Sequence, residues 1–108
     1  KGNYIVAGGD WNQSPPGTSD DTEFKHNDKV NQVSMISKNF MPAGWKWIFD
    51  PAIPTNRALN KPFNNSTETR ILDFFLISPN VTSMNVQTIN LKFASSDHQP
   101  VALKFTMK

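Results

Sequence analysis

Hydrophobic residues along this chain fall in short bursts separated by long polar stretches, and the bursts define the expected elements. Tyr4-Ile5-Val6-Ala7 is an apolar run halted by Gly8-Gly9, the pattern of a buried strand that delivers the next residues to a sheet edge. Residues 13 to 28 are rich in Ser, Pro, Gly, Thr and Asp, with Pro15-Pro16-Gly17 as a breaker, and read as a long surface loop. Asn27 or Asp28 can cap a helix starting near Lys29, in which Val30, Val33, Met35, Ile36 and Phe40 recur at spacings that share one face. Met41-Pro42-Ala43-Gly44 ends that helix, and Trp45 to Phe49 reads as an aromatic strand closed by Asp50-Pro51.

A second irregular segment, residues 52 to 69, leads to the strongest strand signal, Arg70 to Ser78, with Ile71, Phe74, Phe75, Leu76 and Ile77 bounded by Pro79-Asn80. A turn at that point predicts a paired strand from Val81 to about Leu91, whose imperfect alternation predicts a bulge. Val101, Leu103 and Phe105 alternate with Ala102, Lys104 and Thr106, which gives a half-buried last strand. The order of strand, long loop, helix and four strands predicts a sheet-dominated α/β or α+β layer with one covering helix.

Composition narrows this picture. A length of 108 residues suits one small domain, and 37% hydrophobic with 19% charged residues fits neither a disordered nor a fibrous chain. No apolar stretch approaches the ~18 to 20 residues needed to span a membrane. A net charge of +2, with the basic residues dispersed, leaves nucleic acid possible as a partner without indicating it. Absence of cysteine removes disulfides and thiolate metal sites. The chain opens on Lys1-Gly2-Asn3 without an initiator Met and runs at once into an apolar strand, so it is expected to be a fragment or a cleaved product. A secreted or periplasmic bacterial location is favoured over a cytoplasmic one, and the sequence fixes neither.

Three constellations place polar groups at strand ends: Gly9-Asp10-Trp11-Asn12, Arg70-Ile71-Leu72-Asp73, and Ser95-Ser96-Asp97-His98-Gln99-Pro100. Phosphoester hydrolysis needs an activated water, donors or cations for the phosphoryl oxygens, and commonly a hard cation held by carboxylates; Asp, Asn and His in these motifs match that list. Each motif alone is weak, since an Asp-x-Asn is most often a loop cap and a lone His most often a surface residue. Their joint occurrence, each beside an apolar run, favours a site. Arg57 in Pro54-Thr55-Asn56-Arg57 can pair with a phosphate or serve as an ordinary loop charge, the two being equally weighted. Trp11 is expected to pack beneath the site; His26, Glu23 and Glu68 receive no role.

The Gly-Asp-x-Asn and Ser-Asp-His motifs, in this order and separation, resemble the late motifs of the endonuclease/exonuclease/phosphatase superfamily, and the resemblance covers essentially the whole chain. It implies that Asp10 positions or deprotonates the attacking water, that Asn12 contacts the scissile phosphate, and that Asp97 is a metal carboxylate. His98 then contacts the phosphate or shares in proton transfer, Asp73 orients it, and Arg57 is a further phosphate contact. Among the cofactors, Mg2+ is implied, with Mn2+ or Ca2+ as alternatives, on a site centred on Asp10 and Asp97. The resemblance also implies half of a four-layer α/β sandwich, mostly antiparallel sheet with one covering helix, residues 1–108 forming the C-terminal part of a single domain. Its N-terminal half, with the principal metal-binding Glu, would be absent, which predicts association with that missing half or with a second copy, and little activity in the chain alone.

The expected function is thus metal-dependent hydrolysis of a phosphodiester or phosphomonoester within a larger parent protein. One alternative is a catalytically silent or truncated relative acting as a binding or structural module. Another is a carbohydrate- or protein-binding β domain using Trp11, Trp45 and Trp47 as platforms, which requires those rings to be exposed.

Overall fold

Strand β5 (Asp73–Ile77) organises the molecule, because both of its edges are taken. On one side lies β1 (Val6–Asp10) and on the other β2 (Lys46–Ile48), both antiparallel to it, giving a three-stranded sheet in the order β1-β5-β2. Two small ribbons complete the architecture: β3 (Asn56–Arg57) with β4 (Thr69–Arg70), and β6 (Val81–Thr88) with β7 (Val101–Met107). The computed structural model describes residues 2–18, 34–59 and 62–107.

The alternation along β5 separates two faces. Phe74 and Leu76 point to one, where Phe74 forms a buried cluster with Ile36 and Ile71, flanked by Trp11, Trp47 and Phe49. Trp11 stacks on Phe74 with ring centroids 6.0 Å apart and meets Trp47 edge-on at 4.9 Å. The Trp11 indole N–H donates to the Phe74 carbonyl, so Trp11 and Trp47 are packed into the apolar face and do not stand out from it as platforms. Asp73 and Phe75 point to the other face, opposite Asp10 and Gly8 respectively.

The covering helix is not found: among the described residues there is no helix, and the architecture is small antiparallel sheets, not half of an α/β sandwich with a helical layer. The start of the expected helix, residues 27–33, lies outside the described residues. In the remainder, the Ser14 amide donates to the Ser34 carbonyl and the Ile36 amide donates to the Ser14 carbonyl. Backbone groups that an i→i−4 ladder requires are therefore spent on a neighbouring segment, and Met35 sits in a parallel bridge with Ser14. Asn31, Ser34, Ser37 and Asn39 are poor helix formers, and Phe40, assigned to the buried face, is 66% exposed. Only Ile36 of the described periodic positions is buried, and it contributes to the core from an extended segment.

Three strand boundaries also differ from expectation. Gly8 and Gly9 do not stop β1; the strand runs through them to Asp10. A Cβ on Gly8 would lie 2.5 Å from the Phe75 ring, so glycine lets the aromatic ring lie against the neighbouring strand. The apolar run expected as one strand over Arg70 to Ser78 is divided at Ile71-Leu72, β4 pairing with β3 and β5 with β1 and β2. With both edges of β5 occupied, β6 cannot form a hairpin with it and pairs with β7 instead, with the register shift between Ser83 and Asn85 that the broken alternation predicts. Met84, Phe105 and Met107 on this ribbon, and Ile89 and Leu91 beyond β6, are exposed. No helix among the described residues is long and apolar enough to cross a membrane.

Candidate active site

Asp10 ends β1 and Asp73 begins β5, and the antiparallel register sets the two directly opposite each other. His98 reaches them from the segment before β7, which is held by an isolated antiparallel bridge between Asn56 and His98. Oxygen and nitrogen atoms of Asp10, Asp73 and His98 all lie within 4.8 Å of one another. His98 Nδ1 is 2.7 Å from Asp73 Oδ2, while Nε2 on the other side of the ring is 3.7 Å from Asp10 Oδ2 and 3.9 Å from Asp97 Oδ2.

A short contact to Asp73 fixes Nδ1 as the protonated nitrogen. Burial acts most strongly on the His98 pKa and lowers it, but the hydrogen bond to Asp73 and the charges of Asp73, Asp10 and Asp97 together outweigh it, and the net displacement is upward from 6.5. Asn56 acts against this. Its Nδ2 lies 3.2 Å from His98 Nε2 and donates to the Asp97 carbonyl at 3.2 Å, so it offers a proton to Nε2 and suits the neutral ring. Protonation of Nε2 would set donor against donor unless the Asn56 amide turns.

The remaining predicted residues take different places. The Asn12 amide donates to Asp10 Oδ1 at 2.9 Å, with Asn12 itself left-handed at φ 52°, so Asp10 and Asn12 form one Asx turn that leaves Asp10 Oδ2 toward His98. The Arg57 amide donates to the Asp97 carbonyl, tying β3 to the Ser-Asp-His segment, but its guanidinium Nη1 donates to the Ala58 carbonyl. Arg57 Nε is buried without a hydrogen-bond partner. Ser96 Oγ accepts the His98 amide at 3.1 Å, a local turn that presents Asp97 and His98 together. Glu23 and His26 lie outside the described residues.

Sequence reasoning missed the residues that hold this arrangement. Thr55, 1% exposed, accepts the amides of Leu72 and Asp73 on one hydroxyl oxygen at 2.9 and 3.0 Å, which fixes the backbone from which Asp73 projects. Gln99, 4% exposed, donates from Nε2 to the Pro54 carbonyl and accepts the Leu91 amide on Oε1 at 2.7 Å, while its amide donates to the Thr55 carbonyl. Thr55, Asn56 and Gln99 thereby join three segments distant in sequence, residues 54–57, 72–73 and 91–99. The signal for two of them lies in Pro54-Thr55-Asn56-Arg57, where the uncharged Thr55 and Asn56 precede the more conspicuous Arg57.

A hard cation fits part of this set. Mg2+ is commonly held by one or two carboxylates together with waters and substrate oxygens, and Asp10 and Asp97 each offer an oxygen on the Nε2 side of His98. Among the described residues the groups whose ligand atoms come close enough together for one ion are Asp10, Asp73 and His98; Asp97, expected to share a metal with Asp10, is not among them, and Asp73 Oδ2 is already committed to His98 Nδ1. Compared with protein-family models, curated proteins and solved structures, the chain matches none.

Proposed function

We propose that this chain carries the water-activating and phosphate-facing part of a metal-assisted phosphoesterase, hydrolysing a phosphodiester or phosphomonoester as part of a larger parent protein. The observation that supports it is the convergence of Asp10, Asp73 and Asp97 on one imidazole, His98, at a strand end next to Asn12. Three carboxylates gathered on a single histidine form a locally anionic pocket suited to a cation and, through it, to a phosphate. This is also the residue set that the resemblance to the endonuclease/exonuclease/phosphatase superfamily implies.

In this reading Asp10 would hold a divalent cation, Mg2+ by preference, with Asp97 turning toward it, and the cation would supply charge neutralisation at the phosphoryl oxygens. Asp10, with one oxygen taken by the Asn12 amide, keeps the other free to orient a water or accept its proton. His98, oriented through Nδ1 by Asp73, offers Nε2 to a phosphoryl oxygen or a leaving group. Asn12, exposed beside Asp10, supplies an amide donor to the phosphate, and Arg57 supplies its unmatched Nε–H if its guanidinium turns from Ala58. The principal metal-binding Glu would come from the parent protein, whose remaining part would cover the exposed apolar residues of the β6–β7 ribbon.

Metal binding and hydrolysis test this separately. Mn2+ added to the chain should broaden the NMR signals of Asp10, Asp97 and His98, and Asp10→Ala should abolish the broadening. The parent protein should hydrolyse bis(p-nitrophenyl) phosphate in Mg2+ or Mn2+ and lose that activity on the same substitution. Metal binding without hydrolysis by the parent protein would favour a silent binding module over an enzyme.

A further inference from the structure

We infer that a cleft bordered by His98 is a subsite for an uncharged, apolar ester group carried by the phosphate substrate; this rests on the phosphoesterase reading above. The cleft has a volume of about 360 Å3, and its walls include Leu91, Phe93, Ala94, Ser95, His98 and Pro100. Sites for small organic groups begin at about this size. His98 belongs both to this wall and to the carboxylate cluster, so a phosphate held at Asp10, Asp97 and His98 has the cleft beside it.

The chemistry of the wall selects the occupant. It contains no carboxylate, ammonium or guanidinium group, so nothing there neutralises a second phosphate of a polyphosphorylated substrate. Polyhydroxylated rings are equally poorly served. Side-chain partners for hydroxyls taken out of water are limited to Ser95 and Ser96, the Ser96 oxygen already accepting the His98 amide, since the Gln99 amide group is committed to Leu91 and Pro54. Apolar carbon from Leu91, Phe93, Ala94 and Pro100 dominates, which favours a flat or branched apolar group.

The cleft is also built at a cost in backbone conformation. Lys92 and Phe93 both adopt φ of 54°, a left-handed pair in a tight turn closed by the Ala94 amide donating to the Leu91 carbonyl at 3.1 Å. Neither residue is a glycine or asparagine, so the turn is disfavoured locally and must be imposed by its surroundings. Gln99 imposes it, with Oε1 2.7 Å from the Leu91 amide and 3.5 Å from that of Phe93. The Phe93 ring is buried and packs on Phe63 at a centroid distance of 5.0 Å. A strained turn anchored by the residue next to His98 ties the shape of the cleft to the position of the imidazole.

Isotope-labelled chain, with Mg2+ present, should be titrated with inorganic phosphate, glycerol phosphate and phenyl phosphate and followed by amide NMR. All three should shift Asp10, Asp97 and His98. Phenyl phosphate alone should also shift Leu91, Phe93 and Ala94, and should bind roughly tenfold more tightly than glycerol phosphate, as burial of part of a ring predicts. Ala94→Phe, which fills the cleft, should bring that ratio toward one. Leu91→Ala, at a position 52% exposed and so of little risk to folding, should lower it as well. Shifts at Asp10 and His98 with equal affinity for the phenyl and glycerol esters would overturn the cleft inference alone. No shift at Asp10, Asp97 or His98 with any of the three would overturn the phosphoesterase reading and the subsite with it.

Discussion

Replacing Thr55 with valine removes one oxygen and almost nothing else, which makes it the cleanest probe of how the site is held. The side chain is 1% exposed, and valine matches its shape, so the cavity term that follows large-to-small substitutions is absent. What is lost is the acceptor for two amides: Leu72, in a residue 4% exposed, at 2.9 Å, and Asp73, half-buried, at 3.0 Å. An unsatisfied buried donor costs roughly 1 to 3 kcal/mol. Leu72 falls in the upper part of that range and Asp73, nearer to water, in the lower, so the total is about 3 to 5 kcal/mol. Urea denaturation of the chain, with unchanged m-value as the check that the native state is intact, reads this directly. Thr55→Ser keeps the oxygen and loses a methyl, about 1 kcal/mol, so serine should be better tolerated than valine. A valine variant as stable as wild type, or a serine variant less stable than the valine one, would refute the assignment of the hydroxyl as the anchor of the Asp73 backbone.

Three further outcomes follow from the geometry. Because the His98 pKa is raised in the folded state, its ionic contribution to stability is fully present below its unfolded pKa of about 6.5 and is lost as pH rises through the folded value. In metal-free buffer the stability difference between wild type and His98→Asn should therefore narrow as pH rises from below the unfolded value through the raised folded one, as measured by urea denaturation across the range; a difference that widens would reverse the sign. Asp73→Asn should lower the His98 pKa in an NMR titration and, if the phosphoesterase reading holds, reduce kcat far more than it changes KM. Gly8→Ala puts a methyl 2.5 Å from the Phe75 ring and should cost about 1 to 3 kcal/mol of stability by calorimetry, with Phe75→Leu in the same chain recovering part of the loss.

The parts of the site that could be read from sequence are those lying where an apolar burst meets a polar residue. Asp10, Asp73 and His98 each stand at such a junction, and strand ends are where a sheet exposes side chains without exposing its core. Asn56 and Thr55 were opaque because their segment has no periodicity, and their roles depend on hydrogen bonds to residues 17 to 42 positions away. The helix failed for a related reason: spacing of Val33, Ile36 and Phe40 is compatible with a turn of helix, but nothing local reveals that Ser14 will claim the backbone around Met35. Pairing of β6 with β7 likewise depends on both edges of β5 being filled, by segments that begin 67 and 27 residues earlier in the chain, as the partners Val6 and Lys46 of β5 show.

Directly opposed aspartates at the end of the β1–β5 ladder have a consequence for how the sheet opens. Cross-strand pairs run from Val6–Ile77, which is apolar, to Asp10–Asp73, where two like charges face each other. Contacts at the first end favour pairing and repulsion at the last end opposes it, so the carboxylate end depends on its outside anchors, the Trp11 amide on the Leu72 carbonyl and the Thr55 hydroxyl beneath Leu72 and Asp73. His98 in its charged form fastens that end further, and on the proposed reading a cation at Asp10 would do the same. Amide hydrogen exchange near Asp10 and Asp73 would then slow when the site fills while exchange near Val6 and Ile77 stays constant, and occupancy of the site could be followed as the closing of a zipper.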